Sequence, residues 1–240
     1  MRRFFAENID ISGGEAVLSG DEARHLRNVL RFREGDSVLL IDGSGSEYEA
    51  EIAELSEASV RLRILGSRAC SADPETRVTL FQCLPKQGKM ELIIQKCVEL
   101  GVWEIRPVSS ARCVVKPDGK DTKLIRWNKV SAEAAKQCGR ATVPRVAQVE
   151  PLSKAELSGF DLVLIPYENE GDVTLKNVLR GAPAPKSIAV IIGPEGGFEP
   201  SEVERVIGMG GRAVSLGRRI LRTETAGMAA LAQIMYELEQ

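Results

Sequence analysis

The residues SIAVIIGPEGGFEP, 187–200, carry the clearest fold signal in the chain. Its first six residues form an apolar, β-branched run, which predicts a strand buried on both faces. A glycine-rich loop follows, and Pro200 stands where proline favours the first turn of a helix that extends to about Met209. A buried strand, a loop and a helix in this order are the repeating unit of a parallel α/β sheet.

The same alternation continues on both sides of this stretch. Strands are predicted at 78–84, 104–108, 161–166, 187–192 and 213–216. Helices are predicted at 89–100, 123–137, 173–179, 200–209 and 223–238. This part of the chain therefore has the pattern of an α/β protein with a mostly parallel sheet covered on both faces.

The first third of the chain has a different, strand-rich pattern. Strands are predicted at 37–42, 47–55 and 59–65, with a hairpin loop at Gly43-Ser44-Gly45. Ser19 and Glu22 have the spacing of a capping box and predict a helix over about 21–31. The polar stretch 67–76 breaks both periodicities, so we predict two domains, 1–72 and 73–240.

Composition excludes several classes of protein. With 240 residues, 43% hydrophobic and 28% charged, the chain has the values of a folded globular protein. The aliphatic run 188–192 is far shorter than the roughly 20 residues of a membrane span, so we expect no membrane association and a cytoplasmic location. Five cysteines without a C-x-x-C pair, and the single His25, predict reduced packing thiols and no metal site.

Charge is distributed unevenly along the chain. The net charge is only −2, but residues 77–149 carry 14 basic and 6 acidic side chains. A local cationic surface is what binding to nucleic-acid phosphates uses. The alternative is a solvated face whose basic groups pair with acids elsewhere in the fold.

Three loops follow predicted strands and are the first places to look for a ligand site, because ligands bind beyond the carboxyl ends of parallel strands. They are 165–168, 192–198 and 216–226. The second has glycines where backbone approaches a ligand, yet it lacks the P-loop and G-x-G-x-x-G spacings. Glu195 would repel a phosphate, so a cationic or hydroxyl-bearing ligand fits better; the alternative is a tight structural turn.

The third loop carries charged groups among apolar ones. Arg218, Arg219, Arg222 and Glu224 lie within seven residues, which suggests backbone packed against a ligand and charges aimed at a pocket. Thr223 or Thr225 is also a candidate cap for the last helix. At the end of the basic stretch, residues 137–140 close a helix and are candidates to reach phosphate or a neighbouring subunit.

Several blocks of this sequence together resemble one known family. They are 89–101, 133–140, 192–198 and 216–226, joined by RRFF at 2–5 and HLRNVLR at 25–31. In this order they resemble the RsmE family of bacterial ribosomal small subunit uridine-N3 methyltransferases, and the resemblance covers the whole chain.

The resemblance implies a fold, a cofactor and partners. A carboxyl-terminal SPOUT domain, an α/β domain with a trefoil knot, is expected to bind S-adenosyl-L-methionine. A small amino-terminal PUA-like β-barrel domain is expected to help bind RNA, and the protein is expected to be a homodimer. The implied reaction is methylation of N3 of a specific uridine in the 16S rRNA of the small ribosomal subunit.

The implied site residues fall into three groups. The catalytic candidates are Arg222 and Glu224. The cofactor-binding candidates are Leu164, Pro166, Tyr167, Glu168, Ile192, Gly193, Pro194, Glu195, Gly196, Gly197, Leu216, Gly217, Ile220, Leu221, Thr225 and Ala226. The RNA-binding candidates are Arg2, Arg3, Arg24, His25, Arg27, Arg31, Lys86, Lys89, Gln137 and Arg140.

Two other functions stay open on the sequence alone. A SPOUT enzyme acting on another RNA would share the cofactor loops but differ in RNA specificity. A ribosome assembly factor that binds RNA without catalysis would share the basic stretch, and it would not bind S-adenosyl-L-methionine.

Overall fold

The computed structural model of the protein describes residues 2–6, 8–86, 88–116, 121–181 and 184–239. The chain divides into two compact units, Met1–Asp73 with Ala135–Val143, and Pro74–Ala134 with Pro144–Gln240. The terminal residues of the two predicted domains, Met1 and Gln240, lie outside the described residues. The domain boundary predicted between residues 72 and 73 stays a prediction.

The first unit contains a six-stranded sheet in the order β1-β4-β5-β6-β3-β2. Its strands are β1 (Arg3–Phe5), β2 (Asn8–Asp10), β3 (Glu15–Ser19), β4 (Ser37–Ile41), β5 (Ser46–Leu55) and β6 (Ser59–Ala69). All pairs are antiparallel except β1 with β4. Register shifts in the long β5–β6 pair increase twist locally, and the sheet curls into an open, PUA-like half-barrel. The predicted hairpin at 43–45 is confirmed by the β4–β5 register.

The helix predicted over 21–31 has a different form. The α-helix α1 covers only Gly20–Arg24 and continues as a π-helical turn over His25–Val29. The predicted capping box is wrong, because Ser19 makes no side-chain cap. The Glu22 carboxylate is bound to Lys136 instead of reaching back to the helix start.

The second unit contains a parallel sheet in the order β10-β8-β7-β12-β11-β13, with β9 beside β8. Its strands are β7 (Arg77–Cys83), β8 (Glu104–Ser109), β9 (Arg145–Val146), β10 (Glu150–Pro151), β11 (Leu162–Pro166), β12 (Ser187–Ile192) and β13 (Arg212–Val214). Its helices are α2 (Lys89–Glu99), α3 (Asp121–Cys138, which ends in the first unit), α4 (Leu175–Gly181), α5 (Pro200–Gly208) and α6 (Thr223–Leu238). The predicted α/β fold with a mostly parallel sheet is confirmed.

Alternation along β7 shows how both faces of this sheet are covered. Phe81 and Cys83 point into the cluster that includes Val203 and Val206 of α5. Leu80 and Gln82 point the other way, against Gly227 of α6. Because successive side chains of a strand face opposite sides, helices on both faces are what such an apolar strand requires.

Neither a membrane span nor a metal cluster is found in the part of the chain that the structure describes. No described helix combines the length and apolar character that a membrane crossing needs. No group of three or more His, Cys, Asp or Glu among the described residues is placed to hold a metal ion.

Candidate functional site

The three predicted loops meet at one edge of the parallel sheet. They follow β11, β12 and β13, which are neighbours in the sheet, and they surround a cleft of about 1110 Å³. This is at the upper end of ligand pockets, which are typically on the order of 300–1,000 Å³. The glycine-rich loop 193–197 and the loop 215–222 supply many of the residues that line the cleft.

Most of the cofactor-binding candidates line this cleft. They are Pro166, Tyr167, Glu168, Ile192, Gly193, Pro194, Glu195, Gly196, Gly197, Leu216, Gly217, Ile220, Leu221 and Ala226. Leu164 is fully buried inside β11, and Thr225 is exposed on the first turn of α6, so neither is part of the lining. The roles assigned to these residues stay predictions.

The glycine-rich loop packs so closely that side chains are excluded at two positions. Gly197 has φ +69°, and a Cβ there would lie 2.5 Å from Oε1 of Glu168. A Cβ on Gly193 would lie 3.0 Å from the ring of Phe198. Glycine at 197 therefore lets this loop approach the loop that carries Glu168, and glycine at 193 lets Phe198 fold back onto its own loop.

Lys89 bridges two carboxylates at the cleft. Its Nζ lies 3.1 Å from Glu224 and 3.5 Å from Glu195. Burial alone would raise the pKa of Glu195, but the hydrogen bond from the Lys86 N–H and the charge of Lys89 outweigh it and lower that pKa. The pKa of Glu224 is lowered as well, since its own backbone N–H and Lys89 outweigh the effect of burial.

A buried hydrogen-bond chain joins two of the loops to β7. The hydroxyl of Thr223 donates to the Gly193 carbonyl at 2.6 Å and accepts from Nε2 of Gln82 at 2.9 Å. Thr223 is therefore not the cap of α6; Arg222 is the N-cap residue and makes no side-chain cap. Gln82 was not predicted as a site residue, although a glutamine inside an apolar strand indicates a specific polar partner.

Arg112 supports the glycine-rich loop from the outside and was also missed. It donates to the Gly196 carbonyl at 3.0 Å and to Glu199 at 2.8 Å. Glu199 in turn forms a capping box with Glu202 at the start of α5. No local sequence signal pointed to this contact, because it depends on β8 ending at the same edge of the sheet as the glycine-rich loop.

Three arginines stand at the rim of the cleft. Arg218, Arg219 and Arg222 line it and are exposed, and Ile220 between them is 88% exposed. Glu224, the other catalytic candidate, lies outside the lining and is held by Lys89. The cleft thus combines acidic groups beside its glycine loop with a cationic rim.

The RNA-binding candidates of the first unit differ in exposure. Arg2, Arg24, His25 and Arg31 are exposed. Arg27 is half-buried, with Nη1 donating to the Ser56 carbonyl at 2.8 Å.

Two other RNA-binding candidates of this unit form ion pairs within it. Arg140 is 2% exposed and is bound to Asp73 at 2.9 Å, whereas Gln137 nearby is exposed. Arg3 pairs with the buried Glu47 at 3.0 Å. Their guanidinium groups pair with carboxylates, and their role in RNA binding stays a prediction.

The two remaining candidates, Lys86 and Lys89, belong to the second unit. Lys86 is exposed, and Lys89 lines the cleft. Many other basic side chains of 77–149 pair with acids, as the alternative explanation of the charge pattern requires. These pairs are Lys96–Glu99, Arg106–Glu104, Arg112–Glu199, Arg126–Glu91, Lys136–Glu22 and Arg140–Asp73.

Two family models match different parts of the chain. Residues 72–235 match the model of an RNA methyltransferase domain, and residues 18–65 match that of an RNA methyltransferase PUA domain. Ribosomal RNA small subunit methyltransferase E of Bacillus subtilis is 35% identical to the chain, across 100% of this chain and 98% of that protein. The chain belongs to the RsmE family.

Other RsmE proteins support the same assignment. The protein of this name from Mycobacterium bovis is 33% identical, with 96% of this chain and 90% of that protein covered. The crystal structure of the RsmE protein from Neisseria gonorrhoeae bound to S-adenosyl methionine has a TM-score of 0.83 and 32% identity. It covers 98% of this chain and 97% of that one. The resemblance to RsmE stated from the sequence blocks is confirmed.

The lining of the cleft fits S-adenosyl-L-methionine. Carboxylates of Glu168, Glu170 and Glu195 suit a sulfonium cation and ribose hydroxyls, and apolar side chains such as Leu216 and Leu221 suit an adenine face. The main chain at Gly193 and Gly197, which line the cleft, would suit hydrogen bonding to the edges of the base.

Proposed function

We propose that this RsmE protein is an S-adenosyl-L-methionine-dependent methyltransferase that methylates N3 of a specific uridine in the 16S rRNA of the small ribosomal subunit. The observation that carries the proposal is the cleft in which an acidic, glycine-rich floor meets a cationic rim. The family gives the reaction class, and the sequence resemblance implies uridine N3 as the acceptor.

The cofactor is held by the three loops. When bound, it supplies a methyl group on a cationic sulfur. Glu195 and Glu168 provide negative charge, and the backbone of 193–197 and 216–221 orients the adenosine by hydrogen bonds. Methyl transfer requires the sulfur, the methyl carbon and the acceptor nitrogen to lie in line. Thr223, Gln82 and Arg112 fix the loops of the cleft and thereby support the rate.

The acceptor nitrogen carries a proton that must leave before N3 becomes a nucleophile. The proton leaves to solvent water, and Arg222, exposed at the rim, stabilises the negative charge that develops on the uracil. Glu224 has a lowered pKa and is therefore a weak base, so we assign it to hold Lys89 beside the cleft. Of the two catalytic candidates, Arg222 is the one proposed to touch substrate.

RNA enters with the target base unstacked, because N3 lies on the pairing edge of uracil and is inaccessible in a helix. The exposed Arg2, Arg24, His25 and Arg31 of the PUA-like unit supply contacts to RNA outside the cleft. Together with Arg218 and Arg219 at the rim, they give the protein two cationic surfaces.

Three further properties belong to this proposal. The connection 215–222 leads from β13 into α6, which packs on α2 and α4, and this course suits a trefoil knot. The exposed apolar side chains Leu92, Ile220 and Tyr236 suit a homodimer. The ribosomal substrate suits a cytoplasmic location.

The experiment is transfer of labelled methyl groups to small ribosomal subunits that lack the modification. Arg222→Ala is expected to lower the rate about 10²–10³-fold while S-adenosyl-L-methionine binding is kept. Arg212→Ala is the matched control, since Arg212 is exposed at the opposite end of β13. Equal rates in both variants would remove Arg222 from the mechanism.

The same experiment separates the alternatives. Binding of the cofactor without transfer to small subunits would favour an enzyme acting on another RNA. Failure to bind the cofactor would favour an assembly factor.

A further inference from the structure

Among the described residues, three carboxylates line the cleft, and two of them are already bound within the protein. They belong to Glu168, Glu170 and Glu195. The carboxylate of Glu195 lies 3.5 Å from Nζ of Lys89. That of Glu170 accepts two backbone N–H groups of its own loop, both at 2.9 Å. Glu170 and Glu195 therefore use their carboxylates to hold the loops in place.

Glu168 is the carboxylate whose charge no such bond takes up. Within the part of the chain that the structure describes, its side chain makes no hydrogen bond or ion pair. Arg112 lies close enough to respond to it: its pKa is raised chiefly by the bond to Glu199 and to a smaller extent by the charge of Glu168. The guanidinium of Arg112 is, however, bonded to Glu199 and to the Gly196 carbonyl. The negative charge of Glu168 thus stays available to a ligand.

Close packing against a glycine fixes where this carboxylate lies. Oε1 of Glu168 stands 2.5 Å, and Oε2 3.6 Å, from the point that a Cβ on Gly197 would occupy. The side chain therefore reaches from the loop after β11 to the glycine-rich loop after β12, and both loops line the cleft. Because Glu168 is exposed, a ligand in the cleft can approach its carboxylate.

S-adenosyl-L-methionine changes its charge when it reacts. In methyl transfer the bond between sulfur and the methyl carbon breaks, a bond from that carbon to N3 of the uracil forms, and the sulfur keeps the electron pair. The sulfonium cation becomes a neutral thioether, while the amino, carboxylate and adenosine groups stay the same. A carboxylate beside the sulfur therefore attracts the methyl donor more than the product.

We propose that Glu168 selects the charged methyl donor over its neutral product, S-adenosyl-L-homocysteine. Its carboxylate compensates the sulfonium charge when the donor binds, and this attraction ends when the methyl group has left. The loss of attraction favours release of the product and reduces inhibition by it. The inference rests on the proposed function, because it requires that the cleft bind S-adenosyl-L-methionine.

The test is calorimetric titration of the full chain with three ligands. S-adenosyl-L-methionine carries a positive charge at the sulfur, sinefungin carries one at the same position as a protonated amine on carbon, and S-adenosyl-L-homocysteine carries none. In Glu168→Gln, which removes the charge and keeps the shape, affinity for the two charged ligands is expected to fall about fivefold, the upper range for a solvent-exposed ion pair. Affinity for S-adenosyl-L-homocysteine should stay unchanged, which also shows that the cleft is folded.

The matched control is Glu170→Gln. It removes a charge from the same loop, at a carboxylate that backbone N–H groups already bind. The ratio of the affinities for donor and product is expected to stay that of the unaltered protein. An equal fall of this ratio in the two variants would overturn the proposal, because the overall charge of the loop, and not Glu168, would then select the donor.

Two further results would contradict the role of Glu168. If all three affinities fall equally in Glu168→Gln, the carboxylate binds a group that the ligands share, such as the amino group or the ribose hydroxyls. If none of them changes, Glu168 does not interact with the cofactor. Failure of the unaltered protein to bind any of the three ligands is a different outcome: the proposed function then fails, and this inference fails with it.

Discussion

The hydroxyl of Thr223 lies 2.6 Å from the carbonyl oxygen of Gly193 and joins the first turn of α6 to the glycine-rich loop. The two residues are thirty positions apart in sequence. The side-chain amide of Gln82 in β7 donates a further hydrogen bond to the same hydroxyl. One buried threonine thereby fixes two walls of the cleft relative to the sheet.

Replacing Thr223 by valine is expected to remove both hydrogen bonds of the hydroxyl. The change keeps the shape of the side chain but leaves the Gly193 carbonyl and the Gln82 amide without their partner, which costs about 1–3 kcal/mol of unfolding free energy. S-adenosyl-L-methionine affinity is expected to fall as well. Denaturant unfolding and calorimetry measure the two effects, and Thr223→Ser should restore most of both.

The control for this change is Thr225→Val, because Thr225 is exposed two residues further along the same helix. Equal losses of stability and cofactor affinity in the two valine variants would mean that the hydrogen bond to Gly193 contributes to neither.

Gly197→Ala is expected to damage the loop in two ways. The residue has φ +69°, and the added Cβ would lie 2.5 Å from Oε1 of Glu168. Backbone strain of this kind costs on the order of 1–3 kcal/mol. The double variant with Glu168→Ala removes the clash but not the strain, so it should recover stability only in part, as measured by thermal unfolding.

The matched substitution is Gly208→Ala. Gly208 ends α5, has an ordinary φ, and a Cβ there would meet nothing within 4 Å. We expect it to leave stability unchanged or to raise it slightly, and a loss as large as that of Gly197→Ala would contradict the steric account.

The parallel sheet and its helices were predictable because their signals are local. Apolar runs such as 187–192 and the proline at 200 each mark one element without reference to the rest of the chain. The three ligand loops followed from the same reasoning, since they come directly after those strands. Charge pattern was a weaker guide, because basic side chains such as Arg126 turn out to pair with acids.

The errors arose where a distant partner decides the local structure. Glu22 was assigned to a capping box, but Lys136, more than a hundred residues later, takes its carboxylate. Arg140 was assigned to RNA, a role that stays a prediction, and no local signal pointed to its ion pair with Asp73. Gln82 and Arg112 were missed for the same reason, as their partners lie on loops that only the folded sheet brings together.

The roles of arginines in the first unit can be separated by comparing stability with RNA affinity. Arg140→Met removes the arginine partner of the half-buried Asp73, which keeps only the N–H of Thr142, and loss of this pair is expected to cost on the order of 1–3 kcal/mol. Arg24→Ala, at an exposed position, should leave unfolding unchanged and weaken binding of small-subunit RNA. Denaturant titration and a salt-controlled binding assay distinguish the two, and the opposite pattern would refute the assignment.

Acid should weaken the protein partly through the carboxylates around Lys89. The pKa values of Glu195 and Glu224 are lowered on folding, so their stabilisation is complete above the ordinary value of 4.5 and disappears as the pH falls through the lowered values. In Lys89→Met, the fall in unfolding free energy below pH 4.5 should be smaller than in the unaltered protein. An identical pH profile would show that Lys89 contributes nothing to these shifts.

The proposed reaction is tested by identifying the methylated nucleoside. Small ribosomal subunits lacking the modification are incubated with the protein and S-adenosyl-L-methionine, and the rRNA is digested and mapped by mass spectrometry. The account predicts one new methyl group, on N3 of a single uridine in 16S rRNA. A methyl group on another atom or base, or none despite cofactor binding, would contradict it.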